Sequence, residues 1–408
     1  MYIERHLTEA FHKANRFFPA ILVTGARQVG KTTFLRKLAE TGRNYVTLDD
    51  PGLRALAKED PRSFLDRFAP PVLIDEIQYV PELLNYIKIV IDERRFNAPD
   101  SAHGMFWLTG SQPFELMKGV SESLAGRIAV FELPCIAESE LGKRQNLPFT
   151  PDRPWDHEKQ PGVMECFRKI WQGYYPEVLQ ADEMERNFFY ASYVNTYLER
   201  DIRNLANVQN LERFYKFLCS CAARTGQLLN FSELARDASI DIMTAKAWLS
   251  VLVSSKIAYL LPAYASSLTA RLVKTPKLYF LDTGLCAYLT HWSSPETLEA
   301  GAMAGEFFET WCVSEVLKSY WNAGMDAKNL FYYRDKDQRE VDLILDTPDG
   351  IFPVECKKTS TPKSDDARHF KVLHSLGKPI LKGAILCTCE HVTPLPQKDV
   401  ICLPATLI

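Results

Sequence analysis

Residues 25–33, GARQVGKTT, combine residue types that can bind phosphate. Two glycines with four residues between them let backbone amides close around a phosphate group, and the lysine and threonine that follow supply a cation and a hydroxyl. An apolar run precedes the segment and a helical pattern follows it, so the positive end of that helix points at the bound charge. A turn that serves only packing is the alternative. The pattern predicts a nucleotide site made of Gly25, Ala26, Arg27, Gln28, Val29, Gly30, Lys31, Thr32 and Thr33.

Two carboxylates follow the apolar run of LIDEIQ, residues 73–78. Asp75 can hold Mg²⁺ together with Thr32, and Glu76 can polarise the water that attacks the γ-phosphate of ATP. A solvated strand end is the alternative for the acidic pair taken alone. Together with the glycine-rich loop, the pair predicts Mg²⁺-dependent ATP hydrolysis in which Lys31 and Glu76 are catalytic.

Two further residues are candidates for the same site. Ser111, in LTGSQ, follows an apolar run at the sheet edge where ligands of open α/β sheets bind, so Ser111 or Gln112 can orient the attacking water. Arg127, in SLAGR, can stabilise transition-state charge in its own subunit or in a neighbouring one. The alternatives are a plain turn for Ser111 and a surface cation for Arg127.

Residues 339–359, REVDLILDTPDGIFPVECKKT, carry a second set of charged side chains. Two strands joined by a hairpin-type turn bring Asp342, Glu355 and Lys357 together. Such carboxylates can hold one or two Mg²⁺ or Mn²⁺ ions that activate water against a phosphodiester, with the lysine stabilising charge. A hairpin with ordinary surface charges is the alternative.

The elements that must position these residues can be predicted from apolar periodicity. In the first 140 residues, strand-like runs alternate with helical patterns, which predicts an α/β fold with a parallel sheet covered on both faces. Helical patterns then dominate, and residues 230–264 predict a winged helix-turn-helix. Its second helix begins with Asp241 and offers Lys246 as its main cation, so a packing or regulatory role is favoured over DNA reading. The strand-like runs are residues 21–24, 45–48, 72–74, 106–109 and 128–133.

Length and composition suggest three domains in a soluble protein. The 408 residues exceed one ordinary core, and residues 146–162, with four prolines, suit a linker. We predict an ATPase domain at residues 1–145, a helical region with a winged helix at residues 162–265, and an α/β nuclease-like domain at residues 270–408.

Charge and hydropathy limit which partners we expect the protein to bind and where we expect it to be located. A formal charge of −3 gives no global attraction to DNA, so DNA binding would need a local basic patch. No apolar stretch is long enough for a membrane span, and the N-terminal residues lack the apolar region of a secretory signal, so we expect no membrane contact and a cytoplasmic location. The alternating Cys387, Cys389 and His391 are interpreted as a mostly buried strand rather than a zinc site.

These motifs resemble those of AAA+ ATPases. Residues 20–133 look like an AAA+ core, and the whole chain is similar to prokaryotic AAA-type ATP-binding proteins that carry a C-terminal domain of unassigned function. The resemblance implies that the loop at residues 25–33 binds ATP and that Asp75 with Glu76 hydrolyses it. It rests on the motifs GARQVGKTT, LIDEIQ, LTGSQ, SLAGR, YLERDI, LYFLDTGL and EVDLIL…VECKK, whereas QGYYPEV departs from the glycine pair expected before Tyr-Pro.

The C-terminal residues are similar to a PD-(D/E)XK nuclease core. Asp342 matches the first acidic position of that core, Glu355, Cys356 and Lys357 match its second element, and Glu309 matches a helical carboxylate found in some members. The first functional hypothesis is therefore an AAA+ ATPase that acts on DNA through a metal-dependent nuclease-like domain, as a homo-oligomer if an arginine reaches a neighbouring ATP. The alternative is an ATP-driven conformational switch that binds protein partners and has an inactive nuclease-like domain.

Overall fold

The computed structural model describes residues 2–98, 101–110, 120, 123–156, 158–197, 211–265, 267, 271, 274–396 and 399–408. The chain divides into two compact units, Met1–Pro134 with Trp321–Met325, and Cys135–Tyr320 with Asp326–Ile408. The boundaries of the three predicted domains stay a prediction.

A five-stranded sheet organises the first unit. Its order is β2-β3-β4-β1-β5 and all neighbours are parallel, so the predicted α/β fold with a parallel sheet is confirmed. Each predicted apolar run became a strand, because a strand buried on both faces is apolar throughout. The strands are β1 (Ala20–Thr24), β2 (Asn44–Thr47), β3 (Val72–Asp75), β4 (Phe106–Thr109) and β5 (Ile128–Glu132).

Helices connect these strands and bury apolar side chains against them. The longest of these helices packs one apolar face into the core, where Leu83, Leu84, Ile87 and Ile91 are fully buried beside Ile74. A short 3₁₀ helix, Ile77–Tyr79, follows β3 directly. The helices of this unit are α1 (Leu7–Asn15), α2 (Lys31–Leu38), α3 (Pro51–Glu59), α4 (Pro61–Arg67) and α5 (Leu83–Asn97).

The second unit begins with helices and a small antiparallel sheet. That sheet has the order β6-β8-β7 and consists of β6 (Gln227–Leu228), β7 (Ala258–Leu261) and β8 (Lys277–Phe280). Phe149, in the segment predicted as a linker, is fully buried and packs against Trp155. The helices are α6 (Glu138–Leu141), α7 (Val163–Gln172), α8 (Glu183–Tyr197), α9 (Leu211–Ala222), α10 (Phe231–Ala238) and α11 (Ile242–Ser254), with a 3₁₀ turn at Val178–Gln180.

A mixed six-stranded sheet, in the order β13-β14-β12-β11-β10-β9, follows in the same unit. The predicted hairpin is confirmed, since β10 and β11 pair antiparallel, while β12 lies parallel to both β11 and β14. Across the ranges that the structure describes, no helix is long and apolar enough to cross a membrane. The remaining elements are α12 (Thr283–Leu289), α13 (Pro295–Ala300), α14 (Ala304–Asn322), β9 (Leu330–Arg334), β10 (Glu340–Asp346), β11 (Ile351–Lys357), β12 (Gly383–Cys387), β13 (Thr393–Pro394), β14 (Val400–Pro404) and the 3₁₀ helices Ser364–Leu376 and Ala405–Leu407.

Candidate functional site

Two glycines shape the loop between β1 and α2. Gly25 has a φ of +142°, and a Cβ atom there would lie 2.3 Å from the carbonyl oxygen of Leu133, so only glycine fits. Gly30, with a φ of +91°, is the residue before α2, and a Cβ atom there would meet nothing within 4 Å. The loop therefore closes tightly on the sheet side and leaves open space in front of the amino-terminal end of α2.

Lys31 lies inside this loop and is 7% exposed. Its Nζ donates to the carbonyl oxygens of Gly25, at 3.0 Å, and Ala26, at 2.7 Å. Both acceptors are neutral, and an anionic phosphate oxygen is a stronger partner for an ammonium group. The side chain is thus held ready beside the open space at the start of α2.

The other predicted loop residues differ in burial. Val29 is fully buried and its carbonyl oxygen accepts from Arg5, at 3.1 Å, while Arg5 also donates to the carbonyl oxygen of Pro134 at 2.7 Å. Ala26 is also buried, whereas Arg27 is half-buried and Gln28 and Thr33 are exposed.

Asp75, at the end of β3, is the centre of a hydrogen-bond network. The Thr32 hydroxyl donates to Asp75 Oδ1 at 2.8 Å, which joins the loop to the acidic pair. The Thr109 hydroxyl, from the end of β4, also donates to Oδ1, and the Tyr45 hydroxyl, from β2, donates to Oδ2 at 3.2 Å. Three neighbouring elements therefore hold a carboxylate that is only 5% exposed.

Glu76 follows Asp75 in the left-handed region, with a φ of +60°. Its backbone N–H donates to the Thr109 hydroxyl at 3.0 Å, and its carboxylate Oε2 accepts from the Gln78 side-chain amide. Glu76 therefore lies directly after β3, at the carboxyl edge of the sheet. One edge of the sheet thus carries the four residues that lie at or beyond the ends of β1 and β3, namely Lys31, Thr32, Asp75 and Glu76.

The two other candidates have different outcomes. Arg127 lies before β5 and its guanidinium pairs with Asp92, with Nε to Oδ1 at 2.7 Å and a second bond at 3.0 Å. Because β5 runs parallel to β1, Arg127 lies at the amino-terminal edge of the sheet, opposite the phosphate loop. In its own subunit, Arg127 is therefore not at the nucleotide site, which corrects that part of the prediction. Ser111 and Gln112 lie outside the described residues, as does most of YLERDI.

The C-terminal acids meet in a second cluster of the other unit. Asp342 and Glu355 lie on adjacent strands, next to the paired residues Leu343 and Val354, and are 6% and 5% exposed. Asp342 Oδ2 accepts the backbone N–H of Cys356 at 2.8 Å. Glu355 Oε1 pairs with Lys357 Nζ at 2.6 Å, whereas its buried Oε2 has no hydrogen-bond partner among the described residues.

A buried lysine that the sequence did not predict for this cluster neutralises part of its charge. Lys277, from β8, pairs with Glu309 of α14 at 2.8 Å and with Glu340 of β10 at 2.5 Å. The Tyr279 hydroxyl donates to the same oxygen of Glu309. Lys277 and Tyr279 alternate with apolar residues along β8 and so share one face of the strand. This alternation is the feature of the sequence from which both residues could have been predicted to face the acids.

Burial and mutual repulsion change the acidity of this cluster. Burial, followed by the charge of Asp342, raises the pKa of Glu309 to about 7 and that of Glu355 to about 8. Burial alone would lower the pKa of Lys357, but the charges of Asp342 and Glu355 raise it above its ordinary value. Within the described part of the chain, no group of three or more His, Cys, Asp or Glu side chains has the arrangement of a metal site.

Family models match three successive parts of the chain. Residues 18–141 match an AAA domain, residues 165–296 match a domain of unknown function (DUF8612), and residues 304–408 match a second domain of unknown function (DUF4143). The first match agrees with the parallel sheet and with the loop at residues 25–33, so the amino-terminal part of the chain is similar to an AAA domain. The other two matches assign no chemistry.

Similar proteins occur in mycobacteria. Uncharacterized proteins of Mycobacterium bovis and Mycobacterium tuberculosis are each 26% identical over 417 aligned positions, which cover 100% of this chain and 85% of the relative. Among solved structures, a Walker-type ATPase of Pyrococcus abyssi covers 71% of this chain and 96% of its own, with 13% identity and a TM-score of 0.41. A TM-score of that size is too low to carry a conclusion about the fold.

Proposed function

We propose that this protein binds ATP with Mg²⁺ and hydrolyses it in its AAA-type domain. The observation that carries the proposal is the 2.8 Å hydrogen bond from Thr32 to Asp75, because it joins the phosphate loop to the acidic pair. A loop with a buried lysine and a strand end with two carboxylates are the parts that nucleotide hydrolysis requires. Their meeting at the carboxyl edge of a parallel sheet supports a single site for both binding and hydrolysis.

The residues at this site fit Mg²⁺. The Thr32 hydroxyl and the Asp75 carboxylate are hard oxygen donors, which Mg²⁺ prefers. When bound, Mg²⁺ neutralises phosphate charge. Lys31 exchanges its neutral carbonyl partners for phosphate oxygens, and Glu76 accepts the proton of the attacking water. In this proposal, Lys31 and Glu76 are the catalytic residues, and Thr32 and Asp75 are the metal ligands.

Replacing Lys31 tests nucleotide binding. Loss of a charged hydrogen-bond donor costs about 1.5–3 kcal/mol, so Lys31→Ala should weaken ATP binding about 10- to 100-fold. Isothermal titration calorimetry of the full chain with ATP and Mg²⁺ gives the affinity. Lys37→Ala is the matched control, because Lys37 is an exposed lysine on the same helix. Equal affinities for wild type and Lys31→Ala would contradict the proposed site.

A second candidate function is metal-dependent cleavage of DNA by the C-terminal cluster. The buried, unpartnered Oε2 of Glu355 favours it, because that oxygen lies beside the Asp342 charge and would be stabilised by a cation. In this proposal Asp342, Glu355 and Glu309 would have to rearrange to hold Mg²⁺ or Mn²⁺, because the described residues show no metal-site arrangement, and Lys357 would stabilise charge on the phosphodiester. The ion pairs of Lys277 and Lys357 favour the alternative, an inactive nuclease-like domain whose acidic charge is already partly neutralised.

The segment with the order α9, β6, α10, α11, β7, β8 bears on the choice of partner. This order supports a winged helix, in which α11 is the helix that a DNA reader would use. The first turns of α11 expose Ile242 and Met243, at 45% and 72%, beside Asp241 and a single cation, Lys246. Such a face suits a protein partner better than a DNA groove. It therefore favours the ATP-driven switch.

Cleavage of DNA distinguishes the nuclease from the switch. If the nuclease proposal holds, the purified protein cuts DNA with Mg²⁺ or Mn²⁺, and Asp342→Ala abolishes cutting without changing ATP turnover. A control is Asp326→Ala, which removes an exposed aspartate of the same unit. Cutting that survives Asp342→Ala rules out this cluster as its source. Mn²⁺ titration without any Asp342-dependent binding would leave the switch as the better proposal.

A further inference from the structure

Tyr45 contacts both halves of the nucleotide site, although it belongs to the edge strand β2. Its hydroxyl donates to Asp75 Oδ2 at 3.2 Å. The guanidinium of Arg36 lies over its ring, 4.9 Å from the centroid. Arg36 belongs to α2, the helix that begins in the phosphate loop. The tyrosine therefore connects the loop helix to the carboxylate that ends β3.

The hydrogen bonds of Asp75 define what Tyr45 does. Oδ1 accepts from Thr109 and from Thr32, the latter at 2.8 Å, so its two lone pairs are used. Among the described residues, Oδ2 accepts from Tyr45 and otherwise has a longer contact with Thr32, at 3.1 Å, whose single hydroxyl proton is directed to Oδ1. One lone pair of Oδ2 is thus available for a metal or for a water bound to it. Thr109 and Tyr45, one on each oxygen, oppose rotation of the carboxylate.

We propose that Tyr45 is a positioning residue for Mg²⁺, whose hydroxyl fixes the Asp75 carboxylate so that Oδ2 faces the metal beside Thr32. This inference rests on the proposed ATP site and adds to it a residue outside the loop and the acidic pair. A tyrosine hydroxyl carries its proton at neutral pH, so Tyr45 donates to the Asp75 carboxylate there. The Arg36 contact holds the ring where the hydroxyl reaches Asp75.

The variant Tyr45→Phe removes the hydroxyl and keeps the ring that Arg36 contacts. Binding of ATP to the full-length variant is measured by calorimetry, once with Mg²⁺ and once with EDTA. We expect the affinity with Mg²⁺ to fall about 10- to 100-fold, because one hydrogen bond to a charged group is lost, while the affinity in EDTA stays that of wild type. Mn²⁺ titrated into the ATP-loaded variant and followed by electron paramagnetic resonance should bind more weakly by a similar factor.

Tyr86→Phe is the matched control, since Tyr86 is a partly buried tyrosine of α5 packed against the core of the same unit. It should bind ATP like wild type under both conditions. A wild-type Mg²⁺ response in Tyr45→Phe would overturn the inference, and so would an equal loss with Mg²⁺ and EDTA, which would indicate a contact with the nucleotide itself. If the proposed function itself fails, the result is different: either wild type binds no ATP, or Lys31→Ala binds ATP as tightly as wild type. Either result overturns the inference as well.

Discussion

At the residue scale, the loop at residues 25–33, which we call the phosphate loop, is shaped by close contacts at the end of the neighbouring strand. Gly25 approaches the carbonyl oxygen of Leu133 so closely that any side chain would collide with backbone. Thr24, directly before it, donates its hydroxyl to the carbonyl oxygen of Phe131 at 3.1 Å, which ties the end of β1 to β5. The sheet therefore sets the position of the loop. A larger residue at position 25 must displace either the loop or the backbone at Leu133.

Replacement of Gly25 tests this close approach. In Gly25→Ala, a Cβ atom 2.3 Å from a carbonyl oxygen forces the loop to move, so we expect ATP affinity to fall about tenfold or more and the thermal unfolding midpoint to fall by several degrees. Gly42→Ala is the control, because Gly42 also has a positive φ, +97°, but a Cβ atom there meets nothing within 4 Å. It should lower stability by only about 1 kcal/mol and leave ATP affinity unchanged. Equal effects of the two variants on ATP affinity would contradict the close approach.

At the scale of elements, the sequence predicts where the strands of the first sheet lie along the chain, but it does not predict which strands are neighbours in the sheet. Buried parallel strands are continuous apolar runs, and such a run is visible locally. The contact between Tyr45 and Asp75 depends on β2 lying beside β3, a pairing of segments that are far apart in the chain. No local pattern reports such a pairing, so the sequence predicted Asp75 and gave no role to Tyr45. Thr109 was visible only as the end of a strand.

The C-terminal cluster shows the same division between local and long-range contacts. Alternation and a turn predicted the β10–β11 hairpin, which brings Asp342 and Glu355 to neighbouring strands. Lys277 reaches Glu309 only because β8 packs beside α14, so its ion pair required the tertiary structure. The predicted acids do meet, and the lysines that accompany them change the interpretation of the cluster from a simple metal site to a partly neutralised one.

At the scale of the whole molecule, two compact units carry two chemically different groups of residues. The first unit has hydroxyl and carboxylate oxygens, a lysine and an open loop, which together suit a magnesium nucleotide. The second unit has acids whose charge is partly neutralised by the buried Lys277 and the half-buried Lys357. The proposed ATP hydrolysis therefore requires residues of the first unit alone, and it does not depend on whether the second unit cuts DNA or serves as a switch.

The most direct test of ATP hydrolysis is phosphate release by the full-length protein with and without the Glu76 carboxylate. Glu76→Gln keeps the size of the side chain and its contact with Gln78 but cannot accept a proton from water. General-base catalysis contributes about 10²- to 10⁴-fold, so phosphate release in Glu76→Gln should fall by at least about a hundredfold, while ATP affinity measured by calorimetry stays within about twofold of wild type. Glu82→Gln, at an exposed glutamate just before α5, should release phosphate at the wild-type rate. Phosphate release by Glu76→Gln at the wild-type rate would contradict the assignment of Glu76 as the base.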